Sequence, residues 1–243
     1  MKRTKLMSLT LCLALILSGC GSMNNTTKGG LIGSGGGAAL GALIGGMVSG
    51  KSDKGKGRLI GAAIGTAVGG GAGVLIGKKM DKAAAQAAAI EGAQVEQVTD
   101  QNGLQAVKVT FDSGILFGTG AATLSSEAKA SLSKFANNVL KQNPEMDVDI
   151  YGYTDNQGWK NSTAEQSKQK NLNLSQERAQ SVSTYLMSCG ITASQIKGVE
   201  GMGEENPVAD NSTAAGRQEN RRVEVYMYAS PEMIQQAESG TLQ

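Results

Sequence analysis

The apolar positions of this chain change period several times, and each change marks an element. Residues 6–17 form one continuous apolar run behind Lys2, Arg3 and Lys5, too short to span a bilayer stably. Residues 29–50 and 59–77 carry no charge, and glycine recurs at every fourth position: Gly33, Gly37, Gly41 and Gly45, then Gly57, Gly61, Gly65, Gly69, Gly73 and Gly77. A spacing of four puts these glycines on one helix face, where two backbones can approach closely in lipid. Each stretch is close to the roughly 20 residues needed to cross a bilayer. The polar residues 51–58 between them read as a turn, so residues 29–80 are expected to form a helical hairpin that returns the chain to its starting side. A flexible linker is the competing reading, but glycine-serine linkers lack the Leu, Ile, Val and Ala that fill the other positions here.

Residues 81–93 are rich in Ala and Gln and read as a helical connector. Beyond them the period shortens to two. Residues 94–99 and 104–111 are expected to be strands around the Asp-Gln-Asn-Gly turn at 100–103. Ser125 or Ser126 then caps a helix with Glu127 in its first turn, and Leu132, Phe135, Ala136, Val139 and Leu140 form its apolar stripe. Residues 147–153 alternate as a strand. Ser175 is expected to cap a second helix, lined by Ala179, Val182, Leu186 and Cys189 and ended by Gly190. Residues 196–202 and 222–228 are further strands. The chain therefore divides into a leader (1–19), a short linker (20–28), the hairpin, the connector, a domain at 94–229 and a polar tail at 230–243 expected to be loosely ordered.

Composition narrows the chemistry. The chain holds 23 basic and 21 acidic residues, and removal of the leader with Lys2, Arg3 and Lys5 leaves it close to neutral. That balance excludes an electrostatic nucleic-acid binder. Histidine is absent. The commonest general base, any Ser-His or Cys-His nucleophile and the usual zinc ligand go with it. The three cysteines are Cys12 in the leader, Cys20 at its end and Cys189. Cys189 falls in phase with Val182 and Leu186 and reads as a small buried hydrophobe rather than a reactive thiol.

The leader ends in Leu17-Ser18-Gly19-Cys20. It resembles the bacterial lipoprotein signal, in which the peptide is cut before the cysteine and the thiol is lipidated. The resemblance implies acylated Cys20, firmly anchored by several acyl chains. Gly21 stands where an Asp often retains such proteins in the inner membrane, so the implied location is the outer membrane, facing the periplasm. The glycine ladder resembles the glycine-zipper segments of bacterial lipoproteins, and its expected partners are the bilayer and a homo-oligomer held through the zipper.

The C-terminal half carries four ordered motifs: Tyr153-Thr154-Asp155, Leu174-Ser175-Gln176-Glu177-Arg178-Ala179, Gly201-Met202-Gly203, and Asn220-Arg221-Arg222. Over about residues 105–228 the chain is similar to the OmpA-like peptidoglycan-binding domain. The resemblance implies an α+β fold, an OmpA-like β-α-β-α-β sheet with helices packed on one face, preceded here by the glycine-zipper hairpin. It also implies a ligand, the diaminopimelate of the peptidoglycan stem peptide, held by Asp155 and Arg178. The chemistry agrees. Diaminopimelate carries an ammonium and a carboxylate on one carbon; a carboxylate takes the first, and a guanidinium fork takes the second with parallel hydrogen bonds. With Ser175 as cap, the positive end of the helix would also favour the ligand carboxylate. Asp112 and Thr154 match further positions of the family pocket. Arg221 has two readings, reaching the ligand or pairing with acids such as Glu204 and Glu205.

One departure stands out. Asp155 and Arg178 are 23 positions apart, against about 15 in the family pattern. The extra residues fall around 159–166, where Ser162-Thr163-Ala164-Glu165 fits a capping box and lengthens a local helix or loop. Trp159, the sole tryptophan, either stacks on a sugar or pins that loop.

The expected protein is a non-enzymatic tether without cofactor or metal: an outer-membrane lipoprotein that binds peptidoglycan noncovalently. The alternative is an oligomeric membrane pore or envelope assembly driven by the zipper. An ion-channel stator subunit, which also carries this domain, needs an acid inside its membrane helix, and neither apolar stretch holds one. A wall hydrolase would need paired acids, a metal or an activated nucleophile.

Overall fold

The structure, a computed structural model, describes residues 71–99 and 105–242. The leader, Cys20, the first apolar stretch, most of the second and the turn at 100–103 lie outside the described residues. Within them no helix is long and apolar enough to cross a membrane.

The chain enters through helix α1 (Gly71–Ala88) and continues into β1 (Ala93–Thr99) and β2 (Gln105–Asp112). These strands pair antiparallel with Ala93 opposite Phe111, as the two alternating runs around a turn predict. Helix α2 (Ser113–Leu116) is a single turn capped by Asp112. Helix α3 (Ser126–Asn138) is capped by Ser125, whose side chain accepts from Ala128 N. Strand β3 (Met146–Gly152) leads to helix α4 (Ala164–Ser188), strand β4 (Ile196–Gly201), helix α5 (Ala214–Asn220), strand β5 (Arg222–Ala229) and helix α6 (Pro231–Glu238).

The strands form one sheet in the order β1-β2-β5-β3-β4. Strand β5 is central, antiparallel to both β2 and β3. Strands β3 and β4 are parallel, which requires a crossover, and α4 supplies it. Alternation decides what each face carries. Val107, Val109 and Phe111 of β2, Val148 and Ile150 of β3, and Val223, Val225 and Met227 of β5 are all essentially inaccessible. With Leu132, Phe135, Val182 and Leu186 from α3 and α4 they make one core, in which the rings of Phe111 and Phe135 meet edge to face at 5.5 Å. The positions between them on β3 and β5 face the other way and carry a polar layer. There Arg222 Nε donates to Glu224 Oε1 at 2.7 Å, Tyr226 to Glu224 at 2.9 Å and Tyr151 to Asp149 at 3.0 Å.

The structure corrects three expectations. The connector is longer and does more than connect: α1 starts at Gly71, inside the second apolar stretch, and Ile76, Met80, Ala83 and Ala87 are buried against the domain. The last residues of that stretch thus belong to a helix packed on α6, β1 and β2. The tail is not loosely ordered. Ser230 caps α6, Pro231 occupies its first turn, and Met233 and Ile234, with Ala237 one helical turn further on, insert into the core. Finally, Ser175 is not a helix cap. Helix α4 begins eleven residues earlier, at Ala164, and runs unbroken for 25 residues.

Candidate functional site

Strand β3 ends at Gly152, and the chain continues extended through Tyr153 and Thr154 to Asp155. Tyr153 N donates to Arg222 O at 2.9 Å and Thr154 N to Gly203 O at 2.7 Å, so this short segment is clamped between the start of β5 and the turn after β4. Asp155 is thereby delivered to the edge of a cleft of about 660 Å³ at the C-terminal end of β3. Its walls are the α2 turn and the following residues 117–120, the loop at 157–160, the middle of α4, and Gln218 of α5 with Arg221 at that helix's end.

Arg178 reaches the cleft from the middle of α4, not from a helix N-terminus. The dipole contribution expected from a cap at Ser175 is therefore absent, because that effect fades within the first turn. Close packing positions Arg178 instead. A Cβ on Gly152 would lie 2.2 Å from Ser175 O, and one on Gly201 would lie 2.3 Å from Gln176 N. Both positions must be glycine for α4 to lie this near the sheet. Ser175 fixes the contact: its hydroxyl donates to Leu172 O at 2.7 Å and accepts from Gly203 N at 2.8 Å.

Arg178 is only 3% exposed. Its guanidinium sits 5.1 Å from the Phe117 ring centre, and Nε donates to Ala121 O at 3.0 Å. No other hydrogen bond engages it among the described residues. Burial first, then the neighbouring Arg221 charge, pushes the Arg178 pKa down, and Asp155 offsets part of this. A guanidinium does not lose its proton in a protein; the shift means that the buried charge is under-compensated and that an arriving carboxylate would relieve it.

Asp155 is 6% exposed. Oδ1 accepts from Gln157 N at 3.1 Å, and Oδ2 is paired with Arg221. Arg221 thus follows neither expected reading completely. It lines the cleft, yet its acidic partner is Asp155 rather than Glu204 or Glu205. Its other nitrogen bonds Gln218 Oε1, and Gln218 Nε2 in turn donates to Asp112 Oδ1. Asp112 also caps α2 by accepting from Gly114 N at 2.6 Å, so its role is to hold the wall in place through Gln218. Thr154 and Ser113 both line the cleft with buried hydroxyls that have no partner among the described residues.

The five residues singled out in the sequence, Asp112, Thr154, Asp155, Arg178 and Arg221, therefore converge on one place, four in the lining and Asp112 just behind it. Sequence reasoning missed Ser113 and Gln218. Ser113 directly follows Asp112 in the sequence, and that adjacency is the one local signal for it. Gln218 sits three residues before Arg221 in α5, the spacing at which helical side chains meet.

The residues inserted between Asp155 and Arg178 form a lip on the cleft. Thr163, not Ser162, begins the capping box: its hydroxyl accepts from Gln166 N at 3.2 Å, and Gln166 Oε1 accepts from Thr163 N at 2.9 Å. Trp159 N donates to Ser167 Oγ at 2.9 Å and its indole N–H to Asn171 Oδ1 at 2.7 Å.

Comparison with known proteins places this geometry. The family model of the OmpA family matches residues 116–221, and that of the YMGG-like Gly-zipper matches residues 1–81. The outer-membrane lipoprotein YfiB of Pseudomonas aeruginosa is 36% identical over 122 residues, covering 49% of this chain and 65% of YfiB. The peptidoglycan-binding protein ArfA of Mycobacterium tuberculosis is 38% identical over 120 residues, covering 49% of this chain and 34% of ArfA. The chain thus spans less than two thirds of either relative. Among solved structures, the cell wall anchor of the T6SS from Pseudomonas aeruginosa aligns with a TM-score of 0.50 at 28% identity, over 62% of this chain and 97% of that one.

Proposed function

This chain carries an OmpA family domain behind a Gly-zipper segment, and on that premise we propose that its cleft binds peptidoglycan noncovalently through the zwitterionic end of diaminopimelate. Acylated Cys20 would hold the other end of the chain in the outer membrane, making the protein a tether. One observation carries the reading. Arg178, a nearly inaccessible cation with one hydrogen bond, shares a cleft with Asp155 and with the unpartnered hydroxyls of Thr154 and Ser113. Buried polar groups are ordinarily satisfied, so a ligand carboxylate is the natural complement: a fork to Arg178 and acceptors for the hydroxyls. The ligand ammonium goes to Asp155. A carboxylate offers about four lone-pair directions, and Gln157 N and Arg221 leave room for another donor. The names of ArfA and of the cell wall anchor point the same way.

The role is binding rather than turnover. The two acids at the cleft are each held by a side chain, Asp112 by Gln218 and Asp155 by Arg221, and the sequence contains no histidine to relay protons. Muropeptides incubated with the protein are expected to be recovered intact.

The decisive experiment is co-sedimentation of the detergent-solubilised full-length chain with purified sacculi. Asp155→Ala and Arg178→Ala are each expected to cost about 2–5 kcal/mol of binding, or at least tenfold in affinity. Arg178→Lys is expected to fall between, because an ammonium keeps the charge and loses the fork. Unchanged sedimentation of correctly folded Arg178→Ala, checked by circular dichroism, overturns the reading.

A further inference from the structure

We propose that the residues inserted between Asp155 and Arg178 build a second subsite in the cleft, one that takes a carboxylate on the peptide unit adjoining the diamino acid. This rests on the peptidoglycan reading above.

The lip is built to stay in place. Asn171 and Ser167 of α4 are buried polar residues, at 4% and 6% exposure. Asn171 donates to Asp155 O at 3.4 Å and Gln157 O at 3.2 Å and accepts from the Trp159 indole, while Ser167 accepts from Trp159 N. Buried hydrogen bonds spent on a surface loop fix its shape before any ligand arrives, which lowers the ordering cost of binding. The loop is also seated across the cleft: the edge of the Trp159 ring lies 3.8 Å from where a Cβ on Gly120 would be. The loop at 157–160 therefore adds wall to the cleft beyond Asp155 and Arg178. At about 660 Å³ the cleft falls in the range, roughly 300–1,000 Å³, of pockets that enclose whole small ligands.

Charge says what the added wall takes. The charged residues lining the cleft are Asp155, Lys160, Arg178 and Arg221. Asp155 and Arg221 pair with each other. A zwitterionic head supplies one carboxylate to Arg178 and one ammonium to Asp155, so Lys160 remains as the uncompensated cation, with no acidic partner among the described residues. It stands on the lip next to Trp159. A ligand that extends past the head and carries a second carboxylate there neutralises it; the same ligand with a carboxamide does not.

Calorimetry on the detergent-solubilised full-length chain tests this with three probes: free diaminopimelate, a synthetic peptide in which a residue bearing a free carboxylate adjoins it, and the same peptide with that carboxylate converted to a carboxamide. The wild-type chain is expected to prefer the carboxylate peptide two- to five-fold, the scale of an exposed ion pair, with the preference shrinking as salt rises. In Lys160→Gln, an exposed substitution, the ratio of the two peptide affinities is expected to fall to one. Equal binding of both peptides by the wild type, with diaminopimelate still bound, overturns the subsite and leaves the parent reading standing. A preference that survives Lys160→Gln overturns it as well. Binding of none of the three probes sinks the parent reading and the subsite together.

Discussion

Asp155 is engaged before any ligand arrives, and this changes how the clamp works. Arg221 holds one carboxylate oxygen and Gln157 N the other, so the acid is already oriented when an ammonium approaches. Arg178 is the opposite case, buried with most of its donors unused. The two halves of the proposed clamp could be picked out in the sequence because each sits in a short local motif. The braces behind them could not, since Arg221 is 66 residues from Asp155, and Gln218 is 106 from Asp112; no local pattern encodes such pairings. Asp147 is one of two buried acids on β3, with Asp149, whose pKa burial raises. Burial raises the Asp147 carboxyl from the usual 3.8 to about 6, with Lys197 offsetting part of the rise. The folded chain therefore binds this proton more tightly than the unfolded chain. This contribution to stability is full below about pH 4 and is lost as pH rises through 6. Asp147→Asn is expected to raise stability at pH 7 by about 1–3 kcal/mol and to flatten the slope between pH 4 and 6, as read from urea unfolding at several pH values.

At the scale of elements, backbone proximity sets the site. Ser175 looks like a cap in sequence because a serine before a charged, apolar-periodic run is the usual signature. In the fold it is the point where α4 touches two strands at glycines. Gly152→Ala is expected to cost about 1–3 kcal/mol from overpacking and also to weaken sacculus binding, because α4 must shift and carries Arg178 with it. Gly71→Ala, with nothing within 4 Å of the new Cβ and outside the cleft lining, is expected to do neither. The short helix α6 was missed for another reason. Its three apolar residues lie in a polar stretch, and only the Ser230-Pro231 start announces a helix. Met233→Ala is expected to cost about 2–5 kcal/mol in thermal or urea unfolding. An unchanged midpoint would show that the tail contributes nothing.

Across the whole molecule, the pairing of β1 with β2 follows from alternation and turn chemistry, whereas the order of the strands in the sheet and the docking of α1 do not. The α1 face of Ala, Ile and Met reads equally well as membrane helix or as core, and only the partners decide. Those partners also orient the molecule. Lys79 of α1 pairs with Glu145 at 2.8 Å, and Gln86 accepts from Asn143 at 2.9 Å; both partners precede β3, at the end of the sheet remote from Asp155. The chain thus arrives at one pole, and the cleft opens at the other, about 20 Å of strand away.

That polarity has a mechanical consequence. In the tether proposed above, tension between membrane and wall would enter through α1 beside the start of β3 and leave through the cleft at its finish, parallel to the strands. Hydrogen bonds between antiparallel strands run across that axis, so they are sheared together rather than unzipped singly. Such a tether would release its ligand under tension before the fold gives way.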